Sequence, residues 1–364
     1  MRLKSLSIIN YKNIAEATLD FSDKINCFVG DNGMGKTNVL DAVYYLSFCK
    51  SHSNSIDLQN INHEAEFFLI QGDYIKNGTP EHIYCGLKRR QKKQFKRNKK
   101  EYEKLSDHIG LIPLVMVSPD DSQLISEGSE ERRKFMDGVI SQYNKQYLQQ
   151  LLHYNNTLKQ RNALLKSENP IDETVFEILE EQMDSTGRYI HEARTSFIQS
   201  FIPVFREFHS KISGNREQVS LEYSSQYQRH EDMRVRMAET RERDRILGYS
   251  TQGIHKDELE MTLDTYPIKK VGSQGQNKTY LIALKFAQFD FLKKIHQCAP
   301  LLLLDDIFDK LDARRVEEIV KLVASNMFGQ IFITDTNREN LDKILLRLKS
   351  ESKIFRVTGG EIHA

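Results

Sequence analysis

Gly30-Asp31-Asn32-Gly33-Met34-Gly35-Lys36-Thr37 satisfies every position of the phosphate-binding pattern G-x-x-x-x-G-K-[ST]. Its flanks are those such a loop needs. Ile25-Asn26-Cys27-Phe28-Val29 reads as a short buried strand, and the run from Asn38 to Leu46 reads as a helix. Glycines let the backbone fold around an anion, successive N–H groups point inward, and the helix N-terminus contributes its positive dipole end. Lys36 is expected to reach the β- and γ-phosphates, and the Thr37 hydroxyl to ligate Mg²⁺. The candidate nucleotide contacts are thus Gly30, Asp31, Asn32, Gly33, Met34, Gly35, Lys36, Thr37 and Asn38, with ATP and Mg²⁺ as the expected cofactors.

A second cluster lies far down the chain. Leu301-Leu302-Leu303-Leu304-Asp305-Asp306 is an apolar run ending in two carboxylates, the pattern of a core parallel strand that delivers acids to its C-terminal edge. Asp305 is expected to hold Mg²⁺, and Asp306 to orient or deprotonate an attacking water. Alone this is a weak signal; beside a phosphate loop it is a strong one. A third piece, Lys270-Val271-Gly272-Ser273-Gln274-Gly275-Gln276-Asn277-Lys278-Thr279, precedes a helical run and forms a second anion-binding turn. Two such turns are explained by a head-to-tail dimer in which Ser273, Gly275 and Gln276 of one subunit close over the γ-phosphate held by the other. The bland alternative is an ordinary serine N-cap.

The order of phosphate loop, Ser-Gln-Gly-Gln turn, Leu-Leu-Leu-Asp-Asp strand and Asp309-Lys310-Leu311-Asp312 resembles the ABC-type ATPase heads, a group that includes the structural-maintenance-of-chromosomes proteins. Within it the chain is similar, over nearly its whole length, to the RecF family. The similar segments are Leu6 to Asn13, Gly35-Lys36-Thr37-Asn38, Ser118-Pro119-Asp120-Asp121, Ser129 to Asp137 and Gly253 to Leu259. It departs from the family pattern at Ile254, Lys256, Glu258, Asn277-Lys278 and Asp309-Lys310, mostly with charge or polarity preserved. Gln330 to Thr336 offers no histidine where transporter heads of the group place one.

The resemblance implies an α/β fold: an ABC-type head with a mixed sheet around the phosphate-loop helix, and a helical second lobe bearing a short antiparallel arm. It implies an ATP-dependent homodimer clamping duplex or gapped DNA or a single-strand/duplex junction, with slow, DNA-stimulated hydrolysis, that helps load the RecA recombinase. RecR and RecO are the expected protein partners. The rival readings are a monomeric P-loop NTPase or kinase, and a chromosome tether with a longer arm.

Composition sets bounds without pointing to this role. The 364 residues suffice for two lobes, and a formal net charge of +1 means that any attraction to DNA comes from local patches. Cys27, Cys49, Cys85 and Cys298 are scattered, which argues against a zinc site or disulfide frame. No apolar run is long enough to span a membrane, so a cytoplasmic location is expected.

Periodicity divides the chain into 1–128, the first part of the ATPase lobe; 129–240, the helical lobe; and 241–364, the returning head with the Ser273 turn and the Asp pair. Met136, Ile140, Tyr143, Tyr147, Leu151 and Leu158 mark one helix; Ile190, Phe197, Phe201, Phe205, Phe208 and Ile212 mark a second, beyond a turn at Asn169-Pro170. The run Lys88 to Lys100 is the densest in cations and reads as an exposed hairpin, serving either DNA or the protection of an edge strand. Arg132 and Arg133 are expected to contact backbone phosphate, to couple the lobes, or to pair with Glu130, Glu131 or Asp137. Arg234 to Arg245 reads as a solvated or salt-bridged helix, and His255 is assigned no chemistry.

Overall fold

The computed structural model describes residues 1–167, 172–229, 232–325, 327–335 and 352–364. Two units pack separately: Met1–Ser122 with Glu207–Arg216 and Ser273–Ala364, and Gln123–Arg206 with Glu217–Gly272. Residues 241–272, which periodicity joined to the returning head, thus pack within the second unit.

Strands β1 (Arg2–Tyr11) and β2 (Ile14–Asp20) alternate buried and exposed residues, as a sheet covered on one face requires. Strand β3 (Ile25–Val29) is almost wholly buried and runs into the phosphate loop, from which α1 (Lys36–Phe48) departs. Strands β4 (Phe67–Lys76) and β5 (Thr79–Lys88) are joined by Asn77-Gly78, both in the left-handed region (φ 49° and 83°), the chemistry a two-residue hairpin turn favours. Strands β6 (Gln94–Arg97) and β7 (Lys100–Glu101) complete an antiparallel sheet of order β2-β1-β4-β5-β6-β7. The four-residue β8 (Leu114–Val117) belongs to a different sheet.

The second unit begins with α2 (Gln123–Ser126), α3 (Ser129–Ile140), α4 (Lys145–Leu165) and the long α5 (Glu173–Ser213), whose last residues belong to the first unit. The expected first helix is therefore two. The chain leaves helical geometry at Asn144, whose side chain caps α4 by accepting from Tyr147 N. Side-chain hydrogen bonds join Asn144 to Tyr189, Thr157 to Gln182 and Arg161 to Glu180, so α4 and α5 run antiparallel. The expected turn at Asn169-Pro170 lies outside the described residues. Strand β9 (Val219–Ser224) follows, then α6 (Met233–Glu239) and α7 (Arg241–Leu247), two short salt-bridged helices in place of the single expected one. Strands β10 (Glu258–Leu263) and β11 (Tyr266–Pro267) form a three-stranded sheet with β9, and α8 (Ile268–Val271) ends the unit.

The first unit resumes with α9 (Gln274–His296), β12 (Leu301–Asp305), α10 (Ala313–Ala324), β13 (Ile331–Asp335), β14 (Ser352–Thr358) and β15 (Glu361–His363). Its second sheet has the order β15-β14-β3-β13-β12-β8, with β14, β3, β13, β12 and β8 mutually parallel. Both β12 and β13 are buried throughout, which explains their continuous apolar character. Helix α1 packs between the two sheets, and Val39, Leu40, Val43 and Leu46 join their inner faces into one core. All four cysteines are free and buried.

Candidate nucleotide site

Parallel pairing brings the C-terminal ends of β3, β13, β12 and β8 to one sheet edge, where ligands of open α/β sheets bind. The phosphate loop follows β3, Asp305-Asp306 follow β12, and Pro119 follows β8. A cleft at this edge is lined by Asn32, Gly33, Gly35, Lys36, Thr37, Asn38, Pro119, Asp305, Asp306 and Thr334.

Crowding dictates the glycines here. A Cβ on Gly30 would stand 2.2 Å from the Val357 carbonyl oxygen, and one on Gly35 (φ 108°) would stand 2.7 Å from the Asn13 amide oxygen. The loop is braced from outside. Asn13 Nδ2 and Gly360 N both donate to Met34 O (3.2 and 2.9 Å), and Asn38 Nδ2 donates to Asn13 Oδ1 (2.7 Å). Lys36 Nζ lies over its own loop and donates to Gly30 O (2.7 Å) and Asp31 O (2.8 Å). Gly30, Asp31 and Met34 thus shape the loop, while the other expected loop residues line the cleft.

Thr37 and Asp305 stand together, with Oγ1 3.0 Å from each carboxylate oxygen. Thr334, the register neighbour of Asp305, donates its hydroxyl to Oδ1 at 2.5 Å. Burial raises the Asp305 pKa and the nearby Asp306 adds to it, against the hydrogen bonds from Thr334 and Thr37. A buried carboxylate beside a hydroxyl is a hard-oxygen donor set whose unfavourable charge a divalent cation would relieve, so these residues fit Mg²⁺.

Asp306 adopts φ 48°, a strained conformation for a residue other than glycine. It is held through its backbone: its N–H donates to Thr334 O (3.2 Å), and its carbonyl accepts from Lys278 Nζ (3.2 Å). Burial lowers the Lys278 pKa. Lys285, two turns along α9 from Lys278, donates to Met116 O (3.0 Å) and pairs with Asp121 (2.6 Å). The sequence singled out the segments that hold Asn13, Lys278 and Thr334 but not their contacts, because their partners lie 21 to 29 residues away.

Ser273, Gly275 and Gln276 do not line this cleft. Ser273 is exposed and forms a capping box: its N–H donates to Gln276 Oε1 (2.9 Å), and its Oγ accepts from Gln276 N (3.3 Å). Gly275 faces Lys310 O and Arg315, and Arg315 Nη1 donates to Thr279 Oγ1 (2.7 Å).

Two arginine expectations change. Arg132 pairs with Glu258 through two hydrogen bonds (2.7 and 2.8 Å), and Arg133 donates to Asp257 O (2.7 Å); the start of β10 and the residue before it supply partners 124 to 126 residues away. His255 is structural as expected: Nδ1 meets Tyr154 OH (2.8 Å), Nε2 meets Ser250 O (2.9 Å), and burial pushes its pKa down to about 4. No cluster of three or more His, Cys, Asp and Glu side chains placed to hold a metal ion occurs among the described residues, and no described helix is long and apolar enough to cross a membrane.

Fold and site together define a P-loop ATPase head. Residues 1–112 match the AAA ATPase domain family, and the fold superposes on an Smc head bound to the C-terminal winged-helix domain of ScpA (TM-score 0.60, 15% identity, covering 100% of this chain and 96% of that one). Within that class the chain belongs to the RecF family. The DNA replication and repair protein RecF of Bacteroides fragilis is 63% identical over 364 residues, spanning 100% of this chain and 98% of that protein. A structure of the recombination mediator protein RecF with ATP, in the RecFOR pathway, superposes with TM-score 0.87 at 27% identity, covering 100% of this chain and 97% of that one.

Proposed function

We propose that this chain is an ATP-gated, dimeric DNA clamp of recombinational repair and replication. ATP lies with its phosphates against the N–H groups of residues 30–37, and the Lys36 ammonium turns from Gly30 O and Asp31 O to the β- and γ-phosphates. Mg²⁺, held by Thr37 and Asp305, would neutralise phosphate charge. Asp306 orients or deprotonates the attacking water. An aspartate is one methylene shorter than the glutamate of many ABC heads, so hydrolysis is slow and serves as a timer for reopening. The ATP-bound RecF relative is a recombination mediator of the RecFOR pathway, which supports RecR and RecO as partners and installation of RecA on gapped DNA as the outcome.

The observation that carries the dimer is the placement of Ser273. A capped helix N-terminus with a glycine turn is exposed and absent from the chain's own cleft. A second copy supplying its Ser273, Gly275 and Gln276 would close the site. The test is ATP turnover against protein concentration, with and without gapped duplex DNA, for wild type and Ser273→Arg. Specific activity should rise with concentration and with DNA, and collapse in the variant. Flat activity indifferent to both would mean a monomeric P-loop NTPase.

A further inference from the structure

The charge of this chain is concentrated in one place. Residues 88–104 hold ten Lys and Arg against Glu101 and Glu103, a formal +8; with +1 for the whole chain, the rest carries −7. These residues form the last residue of β5, the β5–β6 loop, β6, β7 and the segment after it, at one edge of the antiparallel sheet.

The cations fall into two sets. Lys93 is engaged by Asp57 (2.6 Å), Cys49 O (2.7 Å) and Tyr45 OH (3.1 Å); Arg97 grips the buried Glu81; Lys96 lies over the Tyr84 ring; Arg89 reaches Ala65 O. Lys88, Arg90, Lys92, Lys99, Lys100 and Lys104 are exposed, and none of them pairs with a carboxylate among the described residues. The turn makes the same point. The β4–β5 hairpin uses Asn77-Gly78, whereas the β6–β7 hairpin has Asn98-Lys99 (φ 49° and 71°), a lysine where the backbone favours glycine. That substitution strains the turn and puts a charge at its tip.

We propose that this edge hairpin docks the phosphate backbone of duplex DNA, through Lys92, Lys99 and Lys100 in particular. The proposal rests on the DNA-clamp reading and assigns it a surface. Single-stranded DNA is bound by stacking bases on exposed aromatic rings. Here Phe95 is buried, Lys96 covers Tyr84, and Tyr102 packs against His108, so the hairpin carrying Lys99 and Lys100 displays charge without a stacking platform of its own; the exposed Phe67 lies on β4, opposite Lys88. Lys92 and Lys99 flank β6, a four-residue strand roughly 13 Å long, close to the width of a duplex major groove of about 12 Å.

The test measures ATP-dependent binding of the full chain to a duplex and to a single strand across salt concentrations. It compares wild type, Lys92→Gln/Lys99→Gln/Lys100→Gln, and the same three positions changed to Arg. Each lost phosphate contact lowers the slope of log affinity against log salt by about 0.9, so the Gln variant should lose about 2.7 in slope and roughly 500-fold in duplex affinity at 0.1 M salt. The Arg variant should keep both, and the thermal unfolding midpoint should stay unchanged in each. An unchanged slope in the Gln variant, with wild type binding normally, overturns the hairpin assignment and leaves the clamp standing. A loss confined to the single strand overturns the duplex assignment. A wild type that binds no duplex with ATP overturns the hairpin and the clamp together.

Discussion

At the scale of single residues, the site depends on side chains that hold other side chains. Thr334 is the clearest: its hydroxyl fixes Asp305 Oδ1, and its carbonyl fixes the backbone of Asp306. Thr334→Val keeps shape and removes the hydroxyl. A hydrogen bond to a charged group contributes about 1.5–3 kcal/mol, so hydrolysis should fall roughly 10- to 100-fold. Because the carboxylate it steadies is the proposed Mg²⁺ ligand, the Mg²⁺ concentration needed for half-maximal turnover should rise while metal-free nucleotide binding holds. Turnover assays across a Mg²⁺ series decide this; an unmoved Mg²⁺ dependence would reduce Thr334 to packing. The phosphate loop was readable because its chemistry is contiguous in the chain. Thr334 was not, since only the parallel register of β12 and β13 sets it opposite Asp305.

Between elements, the second unit is joined by a buried ionic network. Arg194 of α5 donates to Asp137 of α3 (2.9 Å), to Asp257 just before β10 (2.9 Å) and to Ile254 O (3.0 Å), while Tyr147 of α4 bonds Asp137 and Tyr223 of β9 bonds Asp257. The guanidinium is 1% exposed, and burial raises the Asp257 pKa against the pull of Arg194. Removing one partner strands the others as uncompensated buried charges. Arg194→Met should therefore cost about 3–5 kcal/mol by urea denaturation. Adding Asp257→Asn should recover part of that loss, a non-additivity that a double-mutant cycle would detect. Apolar periodicity announced the helices, but the partners of Arg194 lie 47 to 63 residues away, beyond any local pattern.

For the whole molecule, burial holds at least one histidine neutral in each unit. His108 in the first unit and His255 in the second are both pushed down to about 4 by burial. The unfolded chain, with a histidine pKa near 6.5, then binds more protons than the folded one. Stability is complete above about pH 6.5 and declines as pH falls toward 4, by about 3 kcal/mol per histidine. Asp257 and Asp305, whose pKa values are raised, oppose this trend. A difference between variants therefore reads the effect more cleanly than a single profile. Urea midpoints of wild type and His255→Gln between pH 7.5 and 5 should converge as pH falls; parallel profiles would mean that His255 is protonated in the folded state.

By itself the sequence determined the nucleotide loop, the strand ending in Asp305-Asp306, the capped turn at Ser273 and membership in a family, because each is written in residues close together along the chain. Tertiary structure alone decided that Ser273 is exposed and does not line its own chain's cleft, that Thr334 and Lys278 hold Asp306, that Arg132 answers Glu258, and which hairpin cations remain displayed. These depend on strand register and on contacts between distant segments. A local pattern encodes the conformation of a segment, but not the neighbour that the fold will bring to it.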